Sequence, residues 1–356
     1  MSFKGQLKTF LLKFKANLKV NDRKFSVIAR PKSKECINVI YLLHSNKNNR
    51  SGGDKVIYKQ SEIINNLKEF NVKSSVLHFG NTSIKYDWFH HNVEFKNNYI
   101  LDSKNDFVVI PEIMVIPHAE ILHKLGIQYA IFVQGGYIMD AYSHDYERMT
   151  HAYKNASLIL AISKDTANCI ATAYPWATDK IINISYSIDS TKFKIAKDKL
   201  NLIAYMPRKL SRHANLVKFF LKERLPKNWE FKEIHGLDES GVIELLGKSK
   251  IFISLSELEG CPMPPVEAAL CGNYVIGYTG EGGKEYWKSP IFTEVYCGDI
   301  KNFVNQILIK IEQLDSSSFN VDFEASRMEL ADMYSETAEK QSLLNFISRA
   351  EKILFG

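Results

Sequence analysis

No stretch of eighteen or more residues is both apolar and uncharged, so no helix long enough to cross a bilayer is expected. Cysteine is sparse. Cys36, Cys169, Cys261, Cys271 and Cys297 are scattered without paired spacing, which argues against a disulfide framework and suits a reducing cytoplasm. The sequence contains neither Gly-x-x-x-x-Gly-Lys-Ser/Thr nor Gly-x-Gly-x-x-Gly, so a P-loop and the usual dinucleotide turn are both unsupported. There is no repeat of fixed period and no low-complexity tract. Lys8, Lys13 and Lys15 interrupt the early apolar residues, so a cleaved export signal is not expected either.

The 356 residues, 45% hydrophobic and 24% charged, are enough for two domains with separate cores. The formal charge of +6 is unevenly spread. Residues 1–34 hold ten Lys or Arg and one acid, Asp22, whereas the remainder has 36 basic against 39 acidic side chains. A mildly acidic body disfavours a polyanion-gripping enzyme, and nucleic acid is not an expected partner. Phe3, Leu7, Phe10, Leu11, Phe14 and Leu18 recur at helical spacing among the lysines. This basic amphipathic pattern either lies on an anionic membrane surface through residues 1–20 or docks its apolar stripe on the protein itself.

Short apolar runs at Ile37–Leu43, Ser75–Phe79, Phe107–Ile110, Tyr129–Val133 and Leu158–Ile162 alternate with helix-length stretches. A second series follows at Leu202–Tyr205, Phe231–Ile234, Ile251–Leu255 and Tyr274–Tyr278. Such alternation predicts α/β units with parallel sheets covered by helices on both faces. The expected division is an extension over 1–34, a Rossmann-like domain over 35–190, a second over 191–335 and a terminal helix over 336–356. Residues 185–199 are the polar connector, and the terminal helix either braces the domains or simply ends the chain.

The chemistry concentrates in Ser254–Tyr286, SLSELEGCPMPPVEAALCGNYVIGYTGEGGKEY. Glu259 is expected in the loop after a strand, with a helix starting near Pro264 and Pro265 and Glu267 about one turn into it. A helix start suits phosphate, and flanking carboxylates suit the hydroxyls of sugar and ribose. Upstream, IAYMPRKLSRHA places Arg208, Lys209 and Arg212 after the strand at 202–205. By itself RKLSR is equally a solvated basic turn.

EGCPMPPVEAALCGNYVIGYTGEGGKEY resembles the donor-site signature of retaining glycosyltransferases of the GT-B fold, family four, whose usual form is E-G-F-G-L-P-x-x-E-A-M-A-x-G-x-P-V-V. Glu259, Gly260, Met263, Pro264, Glu267, Ala268, Gly272 and Val275 fall at matching positions. The resemblance implies two Rossmann-like domains facing across a cleft. It directs Glu259 to the donor sugar, Glu267 to the ribose, and backbone amides around Met263 and Pro264 to the diphosphate. Arg208 matches the family's arginine, with either Lys209 or Arg212 as its partner. Pro262 departs from the pattern, taking the place of the second glycine and removing one N–H.

Ser51-Gly52-Gly53 resembles the family's glycine-rich first loop, so Gly52 and Gly53 are donor-side candidates. Glu112 and Gln134, each after an expected strand, and His118 are acceptor-side candidates. The resemblance implies transfer of a sugar from a nucleotide-sugar to a glycan or lipid-linked acceptor at the cytoplasmic side of the membrane, in bacterial capsule or O-antigen synthesis. No metal and no cofactor beyond the nucleotide-sugar substrate is expected. The alternatives are a sugar-nucleotide epimerase or phosphorylase of similar fold, and a lapsed nucleotide-binding subunit.

Overall fold

The structure of the chain is a computed structural model and describes residues 25–28, 36–44, 51–79, 89–96, 100–316 and 323–356. The amphipathic pattern of residues 3–18, and the membrane-surface expectation attached to it, lie outside the described residues.

Along the chain the strands of the first series are β1 (Ser26–Ile28), β2 (Ile37–His44), β3 (Val72–Phe79), β4 (Glu94–Lys96), β5 (Ile100–Asp102), β6 (Asp106–Pro111), β7 (Gln128–Val133), β8 (Leu158–Ala161) and β9 (Ile181–Asn183). The second series is β10 (Leu200–Tyr205), β11 (Glu230–Glu233), β12 (Ser249–Glu259), β13 (Tyr274–Glu281) and β14 (Phe292–Glu294). Helices α1 (Gly52–Asn65), α2 (Val115–Lys124), α3 (Tyr146–Asn155) and α4 (Lys164–Ala173) fall within the first series. Helices α5 (Ser211–Leu221), α6 (Glu239–Lys248), α7 (Met263–Leu270), α8 (Ile300–Asp315), α9 (Glu324–Met333) and α10 (Glu336–Phe355) follow. Among the described residues no helix is long and apolar enough to cross a membrane.

β4-β3-β2-β6-β7-β8-β9 form a seven-stranded sheet in that order, β11-β10-β12-β13-β14 a five-stranded one, and β1 pairs with β5. Every pairing in the five-stranded sheet is parallel, as are those of β2 with β3 and β6. Because helices cover parallel sheets on both faces, the strands read as unbroken apolar runs: Val39 to Leu42 and Phe107 to Ile110 are completely buried. The three-residue strands β1, β4, β5, β9 and β14 leave no such run, which is why periodicity does not reveal them.

Two compact units result. One takes in the described residues of 1–132 with 142–159 and 346–356, the other 133–141 with 160–345. Residues 25–28, expected as part of a separate extension, belong to the first unit. There β1 pairs with β5, and Phe25 is buried with its ring 5.6 Å from that of Phe79. A lone aromatic with an apolar neighbour to pack on overrides the basic composition around it. Residues 185–199 are grouped with the second unit, where the Ile188 N–H donates to Tyr334 O (2.9 Å) and the Ala196 N–H to Gly247 O (3.3 Å).

α10 begins at the boundary expected for the terminal helix, directly after α9. Tyr334 ends the first helix at φ −107°, ψ 32°, and Ser335 Oγ accepts the Ala338 N–H at 3.2 Å to start the second. The Tyr334 ring lies 5.0 Å from that of Tyr186 and 5.8 Å from that of Tyr286, contacts that straight helix would not need to make.

The core of the second unit includes Ile203, Ile251, Ile253, Ile276 and Phe303. Gly277 on β13 tests how closely it is packed. Its φ is +134°, and a Cβ there would stand 2.2 Å from Ser254 O and 2.7 Å from Phe303 Cζ. Gly277→Ala is therefore expected to destabilise the chain by about 3 kcal/mol, combining backbone strain with overpacking. Urea unfolding measures this, and a change within error would show that β12 and β13 give way at this point.

Candidate functional site

The chain runs from β10 to β11 on one side of the five-stranded sheet, then returns past β10 to lay down β12, β13 and β14 on the other. The order therefore reverses between β10 and β12. At such a reversal the crossover helices diverge, leaving room for a ligand beyond the carboxyl ends of the two strands. The loop after β10 carries Arg208 and Lys209, and the end of β12 carries Glu259. The seven-stranded sheet reverses likewise between β2 and β6, followed respectively by Gly52-Gly53 and Glu112.

Glu259 is the last residue of β12 rather than part of a loop. The strand outruns its expected end because β13 keeps pairing with it, through a register shift after Ser256, to place Glu259 opposite Glu281. Lys209 Nζ forms an ion pair with Glu259 Oε2, the two side chains being 45% and 19% exposed. A pair this open to water contributes less than about 1 kcal/mol, so an arriving phosphate can take Lys209 at little expense. Arg208 in the loop and Arg212 in the first turn of α5 are exposed. No side chain caps the α5 amino terminus, so the amides of Ser211, Arg212 and His213 face no intrahelical or capping acceptor.

α7 starts differently. Its cap is Pro262 and its second and third residues are Pro264 and Pro265, leaving Met263 as the one first-turn residue with an N–H to give. Pro264 therefore cannot supply the amide expected of it. The helix begins at Met263, one residue before the expected start, and Glu267 stands one turn in, partly exposed. Gly260, buried just before it, has room for no side chain. A Cβ there would lie 2.3 Å from Gln134 O and 2.9 Å from Thr166 Oγ1, so the Glu259 turn is seated against the backbone after β7.

Three acids near this turn escaped the sequence reading. Glu281 has φ +65°, ψ −61°, a conformation rare outside glycine, and its Oε2 accepts from Lys284 Nζ at 2.7 Å. Glu285 Oε2 accepts the Lys164 N–H at the start of α4 (3.1 Å), while Oε1 accepts from the Tyr334 hydroxyl (3.4 Å). Burial raises the Glu285 carboxyl above its ordinary range, and the Lys164 amide opposes that rise. Asp165 accepts from the Tyr137 hydroxyl at 3.1 Å. Burial raises its carboxyl too. The GEGGKE segment contains Glu281 and Glu285, but the Lys164 amide that Glu285 meets lies 121 residues away in the chain.

In the first unit, Gly52 and Gly53 are the first two residues of α1, with Ser51 as cap, rather than loop residues. Glu112 opens a 3-10 turn directly after β6 and is buried. His118 lies inside α2, buried, its Nδ1 2.8 Å from Met114 O and its ring 4.4 Å from that of Phe79. Burial lowers its pKa and favours the neutral ring. Gln134 belongs to the second unit, where its carbonyl meets Gly260.

No protein-family model matches the chain. It is similar to an alpha-1,6-glucosyltransferase of Actinobacillus pleuropneumoniae serotype 7 (strain AP76), 24% identical over 281 residues that cover 72% of this chain and 81% of the relative. Among solved structures it is similar to Anabaena Alr3699/HepE in complex with UDP and glucose, with a TM-score of 0.66 and 13% identity over 88% of this chain and 99% of that one. It is also similar to the apo form of the lipopolysaccharide outer core galactosyltransferase WaaB, with a TM-score of 0.62 and 14% identity over 87% and 99%. These likenesses show that the fold is GT-B.

Glu285 provides a pH test of the site's packing. With its native pKa raised above the ordinary value of 4.5, the unfolded chain releases this proton first as pH rises. Its contribution to stability is thus full below about pH 4.5 and is lost as pH climbs through the native pKa. Glu285→Gln should remove that loss, so its stability relative to the parent should improve from pH 4 to pH 7 in urea titrations. A constant difference across that range would show that Glu285 ionises as freely in the folded chain as in the unfolded one.

Proposed function

We propose that this GT-B-fold chain is a glycosyltransferase that moves a sugar, with retention, from a nucleotide-sugar to a hydroxyl of a glycan or lipid-linked glycan. The observation that carries the reading is the convergence of Arg208, Lys209, Glu259 and the start of α7 at the strand-order reversal of the five-stranded sheet. The similarity to an alpha-1,6-glucosyltransferase supports the class of reaction. UDP-glucose is the first donor to test, because Alr3699/HepE has been solved in complex with it.

In this reading the bond between the sugar's anomeric carbon and the diphosphate breaks, and one forms from that carbon to the acceptor oxygen. The acceptor's proton passes to the departing phosphate. Arg208, with Lys209 or Arg212, stabilises the charge left on the diphosphate, a service that basic side chains can supply without a metal. Glu259, released from Lys209 when phosphate binds, orients the sugar hydroxyls, and Glu267 holds the ribose. The donor thus falls to the second unit. Glu112, His118 and Gln134 are assigned to the acceptor side. A cytoplasmic place in surface-polysaccharide synthesis belongs to the same reading, supported by the likeness to WaaB, a lipopolysaccharide outer core enzyme.

The proline-rich start of α7 is the one feature that favours a lapsed binding subunit instead. Turnover decides between them. Arg208→Ala and Glu267→Ala should each lower kcat/KM for transfer from the donor by about a hundredfold or more, the scale of a lost charge-stabilising group. Near-normal transfer by both variants would overturn the site assignment. An isomer formed from donor alone would indicate an epimerase, and UDP binding without turnover on any acceptor a binding subunit.

A further inference from the structure

The α5 helix carries a residue that this reading does not use. His213, its third residue and half-buried, has Nδ1 3.0 Å from the Tyr278 hydroxyl, and the two rings meet edge to face at 5.8 Å and 90°. Tyr278 lies on β13, 2% exposed and packed against Phe303, so its position is set by the core of the second unit. Among the described residues, His213 Nδ1 is the one acceptor within hydrogen-bond distance of the hydroxyl proton.

A phenol donating to Nδ1 leaves the ring N–H on Nε2, because the tautomer follows from the bond that the other nitrogen makes. Nε2 itself meets no hydrogen-bonding partner among the described residues. His213 is five residues after Arg208 and four after Lys209, on the helix that opens beyond the carboxyl end of β10. Lys209 is engaged by Glu259, and Arg208 and Arg212 are long exposed side chains. A short ring held from behind by Tyr278 can instead present one hydrogen in a fixed direction.

Resting on the reading of this loop as the donor's diphosphate site, we infer that His213 is a further phosphate ligand, donating its Nε2–H to a phosphate oxygen of the nucleoside diphosphate. Tyr278 is the positioning residue that holds the ring in that tautomer.

The test titrates the full chain with UDP by calorimetry and reads the His213 ring by 15N NMR. Parent protein should show the Nε2–H tautomer, and Tyr278→Phe a mixture of tautomers with weaker UDP binding. His213→Phe should weaken UDP about tenfold or more, the effect of a lost hydrogen bond to a charged group. Binding of uridine, followed by saturation-transfer NMR, should not change. His213→Gln, whose amide nitrogen can stand near the place of Nε2, should recover most of the affinity. An Nδ1–H tautomer in the parent would overturn the inference, and this measurement does not depend on any variant folding. So would UDP binding by His213→Phe at parent strength, or parallel losses of UDP and uridine, which would mark a packing role. If Arg208→Ala loses UDP while His213→Phe keeps it, the donor-site reading stands and this inference falls. Failure of the parent to bind UDP, GDP or ADP removes both.

Discussion

The placement of the candidate site depends on a topological constraint. A parallel sheet that grows outward from one strand in both directions must have two neighbouring strands whose crossovers depart to opposite sides. In the five-stranded sheet those strands are β10 and β12. Lys209 and Glu259 stand fifty residues apart in the chain, yet their side chains meet because the loops that follow these strands share the space the diverging helices leave. The ion pair keeps a cation and a carboxylate facing each other while still open to water, so either can be exchanged for a ligand group.

Helix starts divide the labour around this point. A helix amino terminus attracts anions only through the amides it has left to give. α7 has given up most of its own to Pro262, Pro264 and Pro265, and the Lys164 amide of α4 is already taken by Glu285. The start of α5 has no side-chain cap and stands beside Arg208 and Arg212. In the proposed reading, the helix-start amides still open to an anion therefore lie mostly on the β10 side of the reversal, where the family resemblance alone would have shared the role with α7.

Much of the scaffold can be read from composition along the chain. Strands such as β2 and β6 are long apolar runs because both sheet faces are covered, and Glu259 and Glu267 stand out because their spacing and neighbours match a known signature. The five three-residue strands could not be seen, since a period needs more residues than they contain. The start of α10 falls at the expected boundary of 336, but what fixes the break before it could not be read. Tyr334 is compatible with helix by itself, and its backbone turns where its ring joins Tyr186 and Tyr286.

The sequence by itself determined the α/β class and the separation of a strongly basic first segment from a mildly acidic body. These are properties of residue type and local spacing, and folding does not alter them. The tertiary structure decided that Lys209 rather than Arg212 meets Glu259, and that Glu285 serves the start of α4. It also decided that His118 is closed in by aromatic rings while His213 is held by Tyr278. Each of these is a contact between distant segments, set by strand order and register. Local sequence reports which face of a segment is buried, but not which partner it is buried against.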